Sequence, residues 1–506
     1  MEESPPPPTA SSTGRERNIV RGIGWLSVQG ILTSLLGFVL LASLLRLLPS
    51  ATYGAYSSLQ VSVGIAATVA TFGFNASVVK FLAPSAAEEG GSGWGGAKAS
   101  LVMSTSLSAV VSLALAGAAP YLSDYFMKSV AWSWVFYLGA FWLFSLSVSN
   151  TLLGVLQAAR RYGMLAKVLF LSKFAGVAVA VAGLLVAHSL AVAIFSWAVY
   201  YGILGLSALS FYWRPLLAGD ARPYYRPVFH YAYPLALAAI AGSVTANADI
   251  VVVGGYLNPT SLGVYNATVI ISGIVSALFL TPLTTALFAE TSFSSETPSE
   301  VSRGLRLAFR FGALAILPST FFASAMAAQL FDLFSGGGAY AGGIPYLQLI
   351  TLFYAFAAVE AMSLFVLQGV GKTRHVLAVG VVAALGEIGL SVSLVPSLGL
   401  AGAAYSRVAV EVAGCLLSLY FLRAYLPRVN FGFAGKALLS SAIPAVSVYL
   451  PSVDFSSRVI TIVPYTVIGI ALFVVCARAL KLLSAEDKSY LGHLLPRGLQ
   501  WVLRLL

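Results

Sequence analysis

Long apolar runs, separated by short polar turns, repeat along almost the whole chain. Each run approaches the roughly 20 residues that an α-helix needs to cross the hydrocarbon core of a bilayer. Turn-forming stretches such as LPSATYG, LNPTSLG and VPSLGLAG mark the gaps between the runs. The pattern predicts fourteen transmembrane helices, at residues 19–45, 55–83, 98–119, 130–156, 164–187, 189–212, 230–255, 262–288, 304–330, 344–368, 375–396, 401–424, 434–450 and 458–482.

Composition supports this interpretation of the pattern. The chain has 506 residues, of which 58% are hydrophobic and only 9% are charged. A soluble protein carries about 25% charged residues, so this chain could not cover a water-facing surface. We therefore expect an all-α polytopic membrane protein.

The distribution of charge predicts an orientation. The chain carries 29 Lys and Arg residues against 18 Asp and Glu residues. With the N-terminus in the cytosol, most of the basic residues fall at cytosolic helix ends and loops, and this count includes Lys173. The positive-inside rule then places both termini in the cytosol, which requires an even number of spans. Because the positive charge is spread over short loops and is not clustered on one surface, we expect no nucleic-acid partner.

Cysteine and histidine residues indicate no redox or metal chemistry. Cys415 and Cys476 both lie in apolar runs, where a cysteine is usually a small packing residue. The four histidines are scattered without the spacing of metal ligands. We therefore expect no metal and no cofactor.

Two stretches of the sequence resemble each other. LPSATYGAYSSLQVSVGI at residues 48–65 aligns with LNPTSLGVYNATVIISGI at residues 257–274, an offset of 209 residues. Gly54 falls on Gly263 and Tyr56 falls on Tyr265. The offset predicts a duplicated unit of about 210 residues, which has room for six helices. An even number of helices makes the two copies parallel, related by an axis along the membrane normal.

A second pair of landmarks has nearly the same spacing. GVLQAARRYG and FVLQGVGKTR share Val-Leu-Gln before a basic turn, with an offset of 211 residues. The predicted organisation is a disordered cytosolic tail, an N-terminal six-helix lobe, a C-terminal six-helix lobe, helices 13–14 and a cytosolic C-terminal tail, at residues 1–18, 19–225, 226–425, 426–484 and 485–506. We expect the two glycines to permit a tight turn and the two tyrosines to lie at the membrane interface.

Several of these residues match a pattern seen in a known family. An Arg-x-Leu turn leads to a Gly-x-Tyr helix start, then to a Phe-Gly pair and a basic residue near the end of the second helix. A second group follows in helices seven and eight. From about residue 18 to 425 the chain resembles the Wzx-type polysaccharide-biosynthesis flippases, relatives of the MATE exporters, through Arg46, Gly54, Tyr56, Phe72, Gly73, Lys80, Pro234, Asp249, Gly263 and Tyr265.

The resemblance implies a fold, an activity and partners. It implies a V-shaped bundle of two lobes around a central cavity in the plasma membrane. It also implies a transporter without enzymatic activity that moves a lipid-linked oligosaccharide from the inner to the outer leaflet. The expected partners are membrane lipids, that cargo, and glycosyltransferases or a polymerase of the same pathway.

Charged and polar side chains inside apolar helices are the candidate functional residues, because they are rare there and usually functional. The candidates for contact with an anionic, sugar-bearing cargo are Arg21, Arg46, Asn75, Lys80, Asn247 and Asp249. The candidates for ion coupling or a structural role are Asp249, Glu360, Glu387, Arg407 and Glu411. Asp249 is equally compatible with orienting the hairpin of helices seven and eight and with binding an ion. Arg407 and Glu411 are four residues apart and are expected to neutralise each other.

Three other classes of protein are alternatives. A MATE-type exporter of organic cations should carry acidic residues in its N-terminal half, whereas the acidic residues inside helices here lie in the C-terminal half. A membrane glycosyltransferase or polymerase needs an extramembrane region with clustered catalytic carboxylates, which the short loops do not provide. A scaffold without transport activity stays open.

Overall fold

The computed structural model describes residues 10–84, 93–159, 161–274, 298–426, 431–452 and 461–482. Within these ranges the protein is helical, without β-strands. The chain divides into two compact units, Met1–Ser243 and Val244–Leu506. The division falls inside one long helix, Tyr225–Tyr256.

The described part of the N-terminal unit contains nine α-helices, the last of which continues into the second unit. They are α1 (Ala10–Leu47), α2 (Ser50–Thr71), α3 (Phe74–Leu82), α4 (Gly93–Gly117), α5 (Ala119–Met127), α6 (Ser133–Ala158), α7 (Tyr162–Ala187), α8 (Leu190–Ala218) and α9 (Tyr225–Tyr256). Helix α6 is central, because it packs against α2, α3, α4 and α8. Helix α7 packs between α8 and α1.

The C-terminal unit continues from the second half of α9. Its helices are α10 (described at residues 259–274), α11 (Pro298–Ala325), α12 (Ala327–Ser335), α13 (Ile344–Gly369), α14 (Thr373–Leu398), α15 (Leu400–Leu422), α16 (Phe431–Ser452) and α17 (Ile462–Ala479). Helix α15 packs against α13 and α14, and α11 packs against α13 and α16. Helix α17 packs on α16.

The helices have the length and apolarity of membrane spans. Among the described residues, eleven helical segments are long and apolar enough to cross a bilayer, or twelve if the bent pair Gly312–Ala325 and Ala327–Ser335 is one span. Every predicted region overlaps a helix, although the one at 262–288 is described only as far as residue 274. The membrane class is confirmed, whereas the count of fourteen spans is not confirmed within the described residues.

The outer faces of the helices are apolar, as expected for contact with lipid. Leu113, Val186 and Val463 have exposed fractions of 73%, 85% and 70%. Small hydroxyl residues lie inside instead, and the Ser104 and Thr151 hydroxyls hydrogen-bond at 2.7 Å between α4 and α6. Such small polar contacts let membrane helices approach closely.

The N-terminal tail differs from the sequence-based prediction. Helix α1 begins at Ala10, so residues 10–18 are helical and not disordered. The last proline of the Pro-rich run is Pro8, and beyond it nothing prevents the helix from extending backwards. Residues 1–9 and the predicted C-terminal tail, 485–506, lie outside the described residues.

The repeat seen in the sequence is also present in the local structure. Helices α7 and α14 each have 26 residues and begin 211 residues apart. The residues just before them, Arg161 and Lys372, have almost the same backbone angles (φ −85°, ψ 63° and φ −84°, ψ 49°). The residues just after them, His188 and Gly399, both have positive φ. The structural match therefore runs from the second landmark to the far end of the helix that follows it.

The two repeated tyrosines are buried within their own units, so their rings do not face the lipid. Tyr56 is 3% exposed and Tyr265 is fully buried. Each hydroxyl is hydrogen-bonded inside its own unit, Tyr56 to Trp197 and Tyr265 to Asp249. Gly54 and Gly263 lie within the first turns of α2 and α10, after the short connections and not inside them.

Gly402 makes the tight connection between α14 and α15 possible. A Cβ atom at this position would overlap the carbonyl oxygen of Leu394, which is backbone and cannot move aside cheaply. We expect Gly402→Val to lower the free energy of unfolding by about 1–3 kcal/mol, as overpacking does elsewhere. Denaturation of the purified chain in detergent measures this. Gly389→Val is the matched control, because a Cβ atom there meets nothing within 4 Å; equal stability of the two variants would contradict the steric explanation.

Candidate functional site

A buried ion pair joins α9 to α15 in the C-terminal unit. The Arg407 Nε atom donates to Asp249 Oδ2 at 2.8 Å, and Arg407 Nη2 donates to Asp249 Oδ1 at 2.9 Å. Asp249 is fully buried, and the Arg407 side chain is 12% exposed. The two parallel hydrogen bonds make the pair bidentate, which is the strong geometry for a guanidinium and a carboxylate.

Other donors complete the surroundings of the Asp249 carboxylate. The Tyr265 hydroxyl on α10 donates to Asp249 Oδ2 at 2.6 Å, and the backbone N–H of Ile250 donates to Oδ1. Arg407 Nη2 also donates to the carbonyl oxygen of Ala246 at 3.0 Å. Asp249 therefore ties the α9–α10 hairpin together and anchors it to α15.

Three more carboxyl groups lie on the helices α13, α14 and α15 of the same unit. Glu387 on α14 is 2% exposed and accepts a hydrogen bond from Ser391 at 3.3 Å. Glu411 Oε2 is buried without a hydrogen-bond partner, and the Glu360 carboxylate packs against Gly414 of α15. Glu387 and Glu411 both interact electrostatically with Arg407 and Asp249. We call Asp249, Glu360, Glu387, Arg407 and Glu411 the buried charge cluster.

The cluster changes the expected pairing of Arg407. The sequence spacing predicts neutralisation by Glu411 on the same helix, but the hydrogen-bonded partner is Asp249, 158 residues away. The reason is that the planar guanidinium finds a bidentate partner across the helix interface. The Arg407 guanidinium interacts with the carboxyl groups of Asp249, Glu387 and Glu411, so carboxyl groups outnumber the cation at this place. Among the residues searched, no group of three or more His, Cys, Asp or Glu side chains could hold a metal ion.

The N-terminal unit contains a different kind of site, a lysine held by aromatic rings. The Lys173 ammonium on α7 lies 4.1 Å from the ring centre of Trp197 and 5.2 Å from that of Tyr200. Trp197 stacks on Trp142 with centroids 5.1 Å apart, and its Nε1–H donates to the Tyr56 hydroxyl at 2.8 Å. We call these five residues the lysine cage.

Sequence reasoning missed Lys173 as a site residue. The charge count assigned Lys173 to the cytosolic helix ends. At a rise of 1.5 Å per residue, however, it lies about 17 Å along the helix axis from the first residue of α7. That depth is close to the middle of the helix, where a charge is costly and usually functional. The available signal was a single lysine in the middle of an apolar run of helical length.

The predicted cargo residues of the N-terminal unit have varied surroundings. Arg46 is exposed in the last turn of α1, and Lys80 is exposed in the last turn of α3. The Lys80 ammonium lies 3.9 Å from the ring centre of Tyr231 on α9. The Asn75 amide donates to the backbone carbonyl of Asn150, which joins α3 to α6. Lys80 and Asn75 therefore have separate partners and do not form one site.

For the remaining two cargo candidates, the structure gives the helix on which each lies. Asn247 lies on α9, two residues before Asp249, and is half-buried. Arg21 lies in α1, but its side chain is outside the described part of the chain. The Phe-Gly pair noted in the sequence interrupts the helix between α2 and α3, since Phe72 and Gly73 have φ angles of 45° and 73°.

Comparison with known proteins indicates both a family and a fold. The family model described as polysaccharide biosynthesis protein matches residues 19–288. A search of curated protein sequences finds no match.

Among solved structures, the lipid II flippase MurJ in an inward closed conformation superposes with a TM-score of 0.72 at 13% identity, covering 89% of this chain and 97% of that one. An inward-facing multidrug resistance MATE family transporter of the MOP superfamily has a TM-score of 0.58 at 14% identity, covering 79% and 97%. A MOP superfamily transporter from Pyrococcus furiosus Vc1, for which the reverse polarity of the binding pocket suggests a different function, has a TM-score of 0.53 at 15% identity, covering 79% and 94%. These likenesses show the fold of the MOP superfamily.

Proposed function

Because the chain belongs to the polysaccharide biosynthesis protein family, we propose that it is a flippase for a lipid-linked oligosaccharide. The cargo is a polyprenyl phosphate or diphosphate that carries sugars, moved from the cytoplasmic to the outer leaflet of the cell membrane. The family and the structural neighbours support a MOP-type transporter. The identity of the cargo, the direction of transport and the cytosolic position of both termini belong to the proposal.

The lysine cage is the observation that carries this proposal. A lysine near the middle of a membrane helix pays a large desolvation cost, which aromatic rings reduce only in part. The six spans of the N-terminal unit before α9, from Val28 to Ala218, contain no Asp or Glu. An embedded cation without a carboxylate in the surrounding spans is suited to an anionic cargo such as a lipid phosphate.

The chemistry of the cargo explains why such a site is needed. The polyprenyl tail is stable in lipid, whereas the phosphate and the sugars lose their hydrogen bonds to water there. A protein path must therefore provide cationic and polar groups for the headgroup. Aromatic faces next to a cation, as in the lysine cage and around Lys80, are chemically suited to hold a phosphate beside a sugar ring.

The same observation argues against an exporter of organic cations. Such an exporter needs acidic groups along its cargo path, and the spans of the N-terminal unit provide a cation instead. In the C-terminal unit, the buried charge cluster is suited to coupling transport to protons or small cations, and we place that role there. We do not assign enzymatic activity, and the pathway partners in this proposal are the glycosyltransferases or polymerase that make and use the cargo.

A headgroup-accessibility assay tests the proposed function. The purified chain is reconstituted into proteoliposomes with a fluorescent polyprenyl-diphosphate oligosaccharide, and a membrane-impermeant quencher reports the fraction of headgroups outside. We expect headgroups to equilibrate between leaflets faster than in empty vesicles. A fluorescent organic cation assayed in parallel should not move; transport of the cation without transport of the oligosaccharide would establish the exporter instead.

Arg46 and Lys80 are expected to contribute modestly to transport. Both side chains are exposed. The exposed cation–π contact of Lys80 with Tyr231 is worth about 0.5–1 kcal/mol, and we expect an effect of the same size at Arg46. Arg46→Ala and Lys80→Ala should each lower the initial flipping rate by about two- to fivefold, on the scale of 1.4 kcal/mol per factor of ten. Lys98→Ala is a control, since Lys98 donates to the carbonyl of Leu217 within the unit. Normal rates in both test variants would remove these two residues from the cargo path.

A further inference from the structure

Three aromatic rings form a row on the surface of the N-terminal unit, at the break between α2 and α3. Phe72 stacks on Phe229 of α9, with ring centres 5.7 Å apart and planes 19° apart, and Phe229 stacks on Tyr233 at 6.2 Å and 21°. Phe229 and Tyr233 are 46% and 44% exposed. We call Phe72, Phe229 and Tyr233 the aromatic row. It shares no residue with the lysine cage or the buried charge cluster.

The backbone at the break holds Phe72 in an unfavourable conformation. Its φ angle is 45°, in the left-handed region that costs free energy for a residue with a side chain. The next residue, Gly73, has a φ of 73°, and a Cβ atom there would lie 3.1 Å from the Cβ atom of Leu235 on α9. The break therefore packs tightly against α9, where the Phe72 ring meets Phe229. Strained residues of this kind are concentrated at functional sites.

Hydrogen-bonding groups accompany the row. The His230 and Tyr233 side chains are exposed, their ring centres are 6.5 Å apart, and among the described residues neither makes a hydrogen bond. Pro234 has no N–H to donate to the carbonyl oxygen of His230, four residues earlier in the helix. The surface therefore offers donors and acceptors next to apolar ring faces.

The row begins close to the basic end of α9. Arg226 is exposed near the start of the helix, as basic residues at a membrane surface are. Tyr233 lies about 10 Å further along the axis, at 1.5 Å per residue. The Lys80 ammonium lies 3.9 Å from the ring centre of Tyr231 in the same stretch of α9. A cation, hydrogen-bonding groups and ring faces therefore occur together there.

Contact with lipid does not explain this combination. Phe141 of α6 and Phe195 of α8 form another exposed ring pair, with centres 6.5 Å apart, but both lie on helical backbone. The aromatic row differs from that pair through the strained Phe72 and the exposed imidazole of His230. An imidazole that faces hydrocarbon loses its hydrogen bonds to water. The surface is therefore suited to an occupant with apolar faces and polar edges.

We propose that the aromatic row binds a sugar ring of the lipid-linked cargo. A pyranose ring has C–H groups on its faces and hydroxyl groups around its edge. The negative face of an aromatic ring attracts such C–H groups, and His230 and Tyr233 are placed to hydrogen-bond the hydroxyls. This inference rests on the proposed function for the class of cargo, and it adds the place at which the sugar is recognised.

Binding measured by native mass spectrometry in detergent tests the site independently of transport. The full-length chain is titrated with undecaprenyl diphosphate that carries an N-acetylglucosamine disaccharide, and with undecaprenyl diphosphate alone. We expect the sugar-bearing lipid to bind about tenfold more tightly, equivalent to about 1.4 kcal/mol. Equal affinities would overturn the inference. Absence of headgroup transport in proteoliposomes would count against the proposed function, and the binding ratio would still decide this inference.

Variants locate the recognition within the row. Phe229→Leu and Tyr233→Leu each remove a ring and should reduce the preference for the sugar-bearing lipid to about twofold. Unchanged affinity for undecaprenyl diphosphate shows that each variant is folded. Phe229→Tyr keeps the ring and should keep the preference, as should the matched control Phe141→Leu in the exposed pair outside the row. A full preference in both leucine variants of the row, or an equal loss in the control, would contradict the assignment.

Discussion

Replacing Arg407 by methionine is expected to lower the free energy of unfolding by about 3–5 kcal/mol, the range seen when one partner of a buried ion pair is removed. The variant leaves Asp249 fully buried and without two hydrogen bonds of 2.8 and 2.9 Å. It also leaves the neighbouring Glu387 and Glu411 without the guanidinium that compensates them. Chemical denaturation of the purified chain in detergent micelles, followed by tryptophan fluorescence, measures the loss.

Matched variants separate the ion pair from simple loss of packing. Arg374→Met removes an exposed arginine of the same unit and should change stability little. The double variant Asp249→Leu, Arg407→Met removes both charges and should recover most of the loss, because the large cost is an unpaired buried charge. A single variant as stable as the unchanged chain would show that the pair does not hold α9 to α15.

Replacing Lys173 by methionine is expected to lower the initial rate of flipping by about 30-fold, the equivalent of about 2 kcal/mol for a desolvated cation–π site. Methionine keeps most of the side-chain volume and removes the charge that Trp197 and Tyr200 hold at 4.1 and 5.2 Å. In the proposed mechanism that charge compensates the cargo phosphate inside the membrane. The headgroup-accessibility assay in proteoliposomes measures the rate.

Two further variants make this result specific to the cation. Lys173→Arg keeps a positive charge on the aromatic faces and should retain most of the transport. Lys167→Met removes an exposed lysine from the same helix and should have no effect. Full transport by Lys173→Met would show that the lysine cage is only a packing arrangement, and the main support for an anionic cargo would be lost.

The sequence predicted the helices well because membrane insertion is a local requirement. An apolar run of about 20 residues has to satisfy its own backbone hydrogen bonds in lipid, so it forms a helix whatever it packs against. The repeated turns were predictable because they, too, depend only on local sequence. The matching backbone angles of Arg161 and Lys372 follow from similar short segments at an offset of 211 residues.

Side-chain environments were less predictable because they depend on contacts between distant segments. The rule for residues four apart on a helix predicted Glu411 as the partner of Arg407. The preference of tyrosine for the membrane interface gave no sign that Tyr56 and Tyr265 are buried within their units. In both cases a contact between helices replaced the local rule, since a buried guanidinium or hydroxyl gains most from the partner that satisfies its hydrogen bonds.

The sequence by itself therefore determined the membrane class, the helices and the similarity of the two turn segments, since these depend on apolar length and on short turns. Only the tertiary structure decided that Asp249, Tyr265 and Arg407 form one hydrogen-bonded network. It also decided that Tyr56, the counterpart of Tyr265 in the repeat, accepts a hydrogen bond from Trp197 beside Lys173. The physical reason is that a buried polar group needs a hydrogen-bond partner. That partner comes from whichever neighbouring helix is rotated to face the group. That rotation is set by the packing of the whole unit and not by any one segment.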